Sequence, residues 1–273
     1  MTRASFESLR TKGFWPVQEH TNTWVPGRII GGTTMIIGPL VWFAGLLVRH
    51  LAIQFSGLTS EQRAHFDAQN FAAPRELAAY AQDPALVTAG YALFAGGTIL
   101  LFPAVLTFAR IVAARCPRLG WWGGTLFATS LFARLYYSGV ELTAFRLVDA
   151  LGLDQATQVV LDSYAELSYG LWRIPVTAAL GALVGIVLLV IGAFRAGVIG
   201  LGRAALLLSF GWVFMGVLKE SDLVFGVLGG GVAVCLVFIP LGITVLRDRI
   251  PPLHATVEPL TGTARTRPTP PIW

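Results

Sequence analysis

The chain has 273 residues, 55% of them hydrophobic and only 13% charged, and its mean hydropathy is +0.66. Soluble domains carry roughly 25% charged residues, so this composition argues against a water-soluble globular domain and for a surface that faces lipid. The net charge of +5 does not point to nucleic acid, because the cations are scattered at the ends of apolar runs and no nucleic-acid fold motif occurs.

Taken in order, residues 1–27 are polar with interspersed Phe6, Leu9, Phe14 and Trp15, and are expected to form a cytoplasmic N-terminal segment. They are too long and too polar before the first apolar run for a cleavable leader. A first span is expected at about 29–49, kinked at Pro39. Residues 50–83 form a long external loop. Within it, Thr59-Ser60-Glu61-Gln62 has the pattern of a capping box, and Pro74 suits the first turn of a second short helix. Asp83-Pro84 is a cap-plus-proline start for a second span, about 84–110. A third span begins at Trp121-Trp122 and runs past Glu141. Residues 150–163 read as a short external segment with Asp154 as a cap. Further spans are expected at about 168–194, 202–218 and 223–246. The stretch 250–273, with Pro251, Pro252, Pro259, Pro268, Pro270 and Pro271, reads as a disordered cytoplasmic tail. The expected fold is therefore all-α: a polytopic helix bundle of about six transmembrane helices in residues 28–249, with both termini inside.

Charge tests this layout. Arg3, Arg10, Lys12, Arg28, Arg110, Arg115, Arg118, Arg195, Arg203, Arg247, Arg249, Arg265 and Arg267 all fall on one side of it. The opposite loops hold only Arg49, Arg63, Arg75 and Lys219. Cations concentrate on the cytoplasmic side of membrane proteins, so the bias sets the orientation.

Charges inside a span cost at least ~2.5–3.5 kcal/mol each on insertion scales, and so they mark structure or function. Counted from Trp121 at about 1.5 Å per residue, Arg134 lies roughly 20 Å and Glu141 roughly 30 Å into the third span. Arg134, Tyr137, Ser138 and Glu141 share a helix face. Asp162, Glu166, Tyr169 and Arg173 recur at the same spacing on the way into the fourth span. Lys219, Glu220 and Asp222 lie at the same level between spans five and six. These groups are expected to meet in a polar cavity opening outward, covered by loop 50–83. Glu141, Glu166, Lys219 and Glu220 are the candidate acids and bases. Arg134, Tyr137, Tyr169, Arg173 and Asp222 are the candidate substrate-binding residues. Ion pairs that merely lock helices together explain the same charges.

Other chemistry finds no motif. Walker, GxSxG, HExxH and dinucleotide patterns are missing. The two cysteines and four histidines have no metal-ligand spacing. Gly181-xxx-Gly185 and Gly226-xxx-Gly230 point to ordinary helix packing within the chain rather than to dimerisation. No metal or other cofactor is expected, and the oligomeric state stays open. The expected partners are membrane lipid and a lipophilic or membrane-associated small molecule or peptide. The functional reading is an acid/base enzyme of the isomerase, epimerase or cyclase kind. A small transporter or an immunity or export accessory protein is the alternative.

Overall fold

The computed structural model describes residues 26–68, 72–169, 173–214 and 222–249. The proline-rich tail, Lys219 and Glu220, and all but the last two residues of the N-terminal segment lie outside them.

Every element among these residues is helical: α1 Arg28–Gln54, α2 Ser60–Asp67, α3 Ala73–Gln82, α4 Pro84–Ala113, α5 Pro117–Leu151, α6 Leu153–Tyr169, α7 Ile174–Arg195, α8 Leu201–Phe214, a π-helix Leu223–Val232 and α9 Ala233–Leu246. The local chemistry that starts them is largely what the residues predict. Thr59 and Gln62 form the complete capping box of α2. Pro74 stands in the first turn of α3. The Asp83 carboxylate accepts the Leu86 N–H at 2.9 Å, satisfying one of the orphan donors at the start of α4.

Two differences matter. Helix α5, where the third span is expected, is 35 residues long, which at 1.5 Å per residue is about 52 Å and outruns a hydrocarbon core of about 30 Å. It stops at Gly152, whose φ of 81° lies where only glycine is comfortable. The external segment then forms a helix of its own, α6. Asp154 sits inside its first turn rather than capping it.

Four helices are long and apolar enough to cross a membrane: Arg28–Gln54, Pro84–Ala113, Ile174–Arg195 and Leu223–Leu246. The other two expected spans meet this standard only in part. The long helix α5 is more polar, and the described part of α8 is apolar but only 14 residues long.

Glycine sets the packing. Gly31, Gly38 and Gly45 recur every seven residues along α1, and Gly90 and Gly97 do so along α4. The helices run antiparallel with these positions in contact. A Cβ at Gly45 would stand 2.5 Å from the Phe94 nitrogen, and one at Gly97 2.6 Å from the Trp42 Cα. Gly32 and Gly242 likewise bring α9 against α1, while Gly181 and Gly185 bring α7 against the backbone of α5. The main core holds Trp42, Phe94, Phe108, Phe127, Phe210 and Phe238. A second, smaller core joins Ile53, Leu77, Tyr80, Val87, Tyr91, Phe145 and Val160 where α3 and α6 cover the ends of α1, α4 and α5.

The two ends of the bundle differ. At one, Arg28 pairs with Asp248 at 2.9 Å, and the Arg115 guanidinium donates to the carbonyl of Ala196 at the end of α7. The start of α1, the α4–α5 and α7–α8 turns and the end of α9 thus share an arginine-rich end. The other end carries α3, α6 and the polar cluster described next.

Candidate functional site

Three helices deliver one buried polar cluster. Arg49 comes from the second-last turn of α1, Glu76 from the first turn of α3 and Tyr91 from the second turn of α4. Arg49 Nη2 donates to Glu76 Oε1 at 3.0 Å and to Tyr91 Oη at 3.0 Å. The Tyr91 hydroxyl in turn donates to Glu76 Oε2 at 2.6 Å. The carboxylate is therefore held at both oxygens. Burial is nearly complete, with 3% of the Arg49 side chain and 9% of that of Glu76 exposed. Short, charge-assisted hydrogen bonds of this kind are about twice as strong as neutral ones.

Aromatic rings extend the cluster inward. The Arg49 guanidinium carbon lies 4.2 Å from the Tyr91 ring centroid and 4.7 Å from that of Phe94. Arg134 approaches the same Phe94 ring at 5.0 Å, and Trp42 at 5.9 Å. Phe94 and Trp42 themselves pack at 4.1 Å. Ring faces carry negative charge density and stabilise cations, most strongly where water is excluded. One turn beyond Arg134, the Ser138 hydroxyl is buried with no hydrogen bond. Glu141 is half-buried and within electrostatic reach of Arg49, Glu76 and Arg134. Two arginines and two glutamates thus share one site, and their formal charges balance.

Beside the cluster, Arg49, Ala52, Ile53, Glu76, Ala79, Val87 and Tyr91 enclose a cavity of about 10 Å³. That is room for about one water molecule, against roughly 300–1,000 Å³ for ligand pockets.

Above it, Tyr80 of α3 stacks on Phe145 at 4.8 Å between ring centroids and donates to Asp149 at 2.9 Å. Burial, and then this hydrogen bond, hold its hydroxyl proton to higher pH than an ordinary tyrosine's.

The residues expected from sequence divide. Arg134 and Glu141 belong to the cluster's surroundings. Tyr137 is half-buried on α5, its ring 5.4 Å from that of Tyr136. Glu166 and Tyr169 lie on α6, with side chains outside the described set, as are Lys219 and Glu220 altogether. Arg173 is exposed and has φ 63°, a left-handed backbone, so it does not continue the helical stripe of Asp162, Glu166 and Tyr169. Asp222 is exposed and caps the π-helix, accepting from the Val224 and Phe225 N–H groups at 2.8 and 3.1 Å. Glu76 and Tyr91 are absent from the expected site, and Arg49 is expected only as a span-end cation. A signal for Glu76 does exist. On a helix, Glu76, Leu77 and Tyr80 share the face that must dock, so this acid points inward with its apolar neighbours.

Compared with family models, curated proteins and solved structures, the chain shows no match. Fold and site define its class directly: an all-helical, membrane-compatible protein with a closed arginine–glutamate–tyrosine cluster between its helices.

Proposed function

We propose that this is a multi-pass protein of the cell membrane, with six crossings and both termini cytoplasmic, whose cluster is an acid/base site. The substrate is a lipophilic or membrane-presented molecule, and the chemistry is proton transfer without a cofactor. An even number of crossings, as six is, is supported by the pairing of Arg28 at the start of α1 with Asp248 beyond the end of α9. The orientation is supported by the arginines gathered at that end.

The observation that carries the chemical reading is the 2.6 Å hydrogen bond from Tyr91 to Glu76 beside a buried guanidinium. A carboxylate and a phenol joined by one short hydrogen bond can act as proton acceptor and donor. Arg49 is placed to stabilise negative charge that develops beside it, and in a dry site such stabilisation is large. Arg134 and Glu141 are the neighbouring charges on α5. Among the described residues the buried charged side chains are Arg49, Glu76 and Arg134, all in this one cluster, and this favours an enzyme over a transporter.

The test compares lipid and metabolite extracts from cells that lack the gene, carry it, or carry Glu76→Gln or Tyr91→Phe. A species whose level changes with the native gene and not with either variant is the expected result. General acid/base groups contribute ~10²–10⁴-fold, so the loss should be close to complete. Identical extracts from all four strains, with the proteins present in the membrane, would refute the enzyme reading.

A further inference from the structure

We infer that Arg49 and Tyr91 form a binding site for the carboxylate head of a single-chain amphiphile, and that Glu76 occupies this site as a built-in competitor. The proposal rests on the geometry of the cluster. It names the ligand class of the site proposed above for catalysis, but it can survive the failure of that reading.

Four observations lead to it. First, Arg49 and Tyr91 bind a carboxylate in the structure, with hydrogen bonds at 3.0 and 2.6 Å to its two oxygens. It is brought by α3, a ten-residue helix, and not by either of the long helices that supply its donors. The donors are therefore built on the membrane bundle and their acceptor on its cover. Second, the Glu76 side chain is not wholly buried, with 9% of it exposed, so the pair is not sealed from the outside. Third, the adjoining cavity is walled by Ala52, Ile53, Ala79 and Val87. An acyl chain matches such walls and a soluble anion does not. Fourth, Arg134 approaches the same Phe94 ring as Arg49, at 5.0 and 4.7 Å, so positive charge remains near a bound anion even as Glu76 leaves.

The exchange conserves hydrogen bonds. The incoming carboxylate accepts from Arg49 and Tyr91, and Glu76 moves toward the outer surface, where water replaces its lost partners. The cavity of about 10 Å³ must widen for the chain, and departure of the Glu76 side chain supplies part of that room.

The experiment uses the full chain in nanodiscs of phosphatidylcholine and follows thermal unfolding with added dodecanoate, dodecanol or dodecyltrimethylammonium. Dodecanoate should raise the melting temperature by a few degrees or more, as a ligand of the folded state does, and the other two should not. Glu76→Gln removes the competitor's charge, so half-maximal stabilisation should need about tenfold less dodecanoate. Arg49→Gln should abolish the response. Where that variant does not fold, Arg49→Lys keeps the charge but not the planar fork and should weaken it. Equal shifts from dodecanoate and dodecanol in the native chain would overturn the proposal, as would a full dodecanoate response in either Arg49 variant. Dodecanoate binding with no Glu76-dependent change in cellular extracts would leave the binding site standing and remove the catalytic reading.

Discussion

Arg49 gains its place only through its partners. Removing one member of a buried ion pair strands the other, at a cost of about 3–5 kcal/mol, whereas replacing both with apolar residues is often neutral or stabilising. Glu76→Ala is therefore expected to lower thermal stability sharply, and Arg49→Met with Glu76→Leu to recover most of the loss. Unfolding of the purified chain in detergent checks both, and a double variant as unstable as the single one would show that the pair itself is required. Tyr80 responds differently. Its folded-state proton affinity lies above the ordinary value of 10.0, so its contribution to stability is complete below that pH and is lost as pH rises through the higher folded value. Tyr80→Phe should flatten this alkaline loss, read as melting temperature against pH. A profile identical to the native one would mean that the Asp149 contact contributes nothing. Charged residues within apolar runs, such as Arg134 and Glu141, are legible in sequence because membrane placement makes them costly. Glu76 reads as one more loop acid until the docking face of α3 is considered. Arg173 misleads for a backbone reason: a three-to-four spacing implies a shared face only while the helix continues, and at Arg173 it does not.

Among elements, the α1–α4 pair dominates, and its glycines make a sharp contrast testable. Gly45 and Gly97 face backbone atoms of the partner helix, so an added side chain meets atoms that cannot step aside. Gly45→Val and Gly97→Val should each cost at least ~1–3 kcal/mol by overpacking. Gly139, exposed on α5 with nothing within 4 Å of an added Cβ, should accept alanine with a gain of about 0.5–1 kcal/mol in helix propensity. The fraction of folded protein recovered after mild heating orders the three. Equal behaviour would contradict the close approach of α1 and α4. This seven-residue glycine spacing stands in the sequence, but it is easily lost among 30 glycines, because spacing alone does not say which helix faces which. Gly181-xxx-Gly185 is a counter-example. Its intramolecular role is legible, and both positions pack on α5. Helix starts are the most legible elements, since Thr59, Pro74 and Asp83 act through neighbours in sequence. The helix end at Leu151 is less so, because a helix that outruns its apolar stretch keeps its helical pattern after the apolar pattern stops.

For the molecule as a whole, the separation of its two ends carries a prediction about orientation. Arg28, Arg115 and Arg195 mark one end, while Glu76, Tyr80 and Asp149 lie toward the other. If the arginine-rich end is cytoplasmic, the external layer formed by α2, α3 and α6 faces out. Cys116 stands at the start of α5, beside Arg115, and is free. His65 lies on α2 and is exposed. A chain carrying His65→Cys, with Cys235→Ala removing the other free thiol, offers one cysteine at each end. In intact cells a membrane-impermeant maleimide should label position 65 and spare Cys116, and permeabilisation should bring Cys116 into reaction. Labelling of Cys116 alone from outside would reverse the orientation and move the Arg49–Glu76–Tyr91 cluster to the cytoplasmic side. Labelling of both would mean that α4, the one proposed span between positions 65 and 116, does not separate them. The outcome also decides how a ligand arrives, because an outward site draws amphiphiles from the outer leaflet and an inward one from the leaflet where they are made.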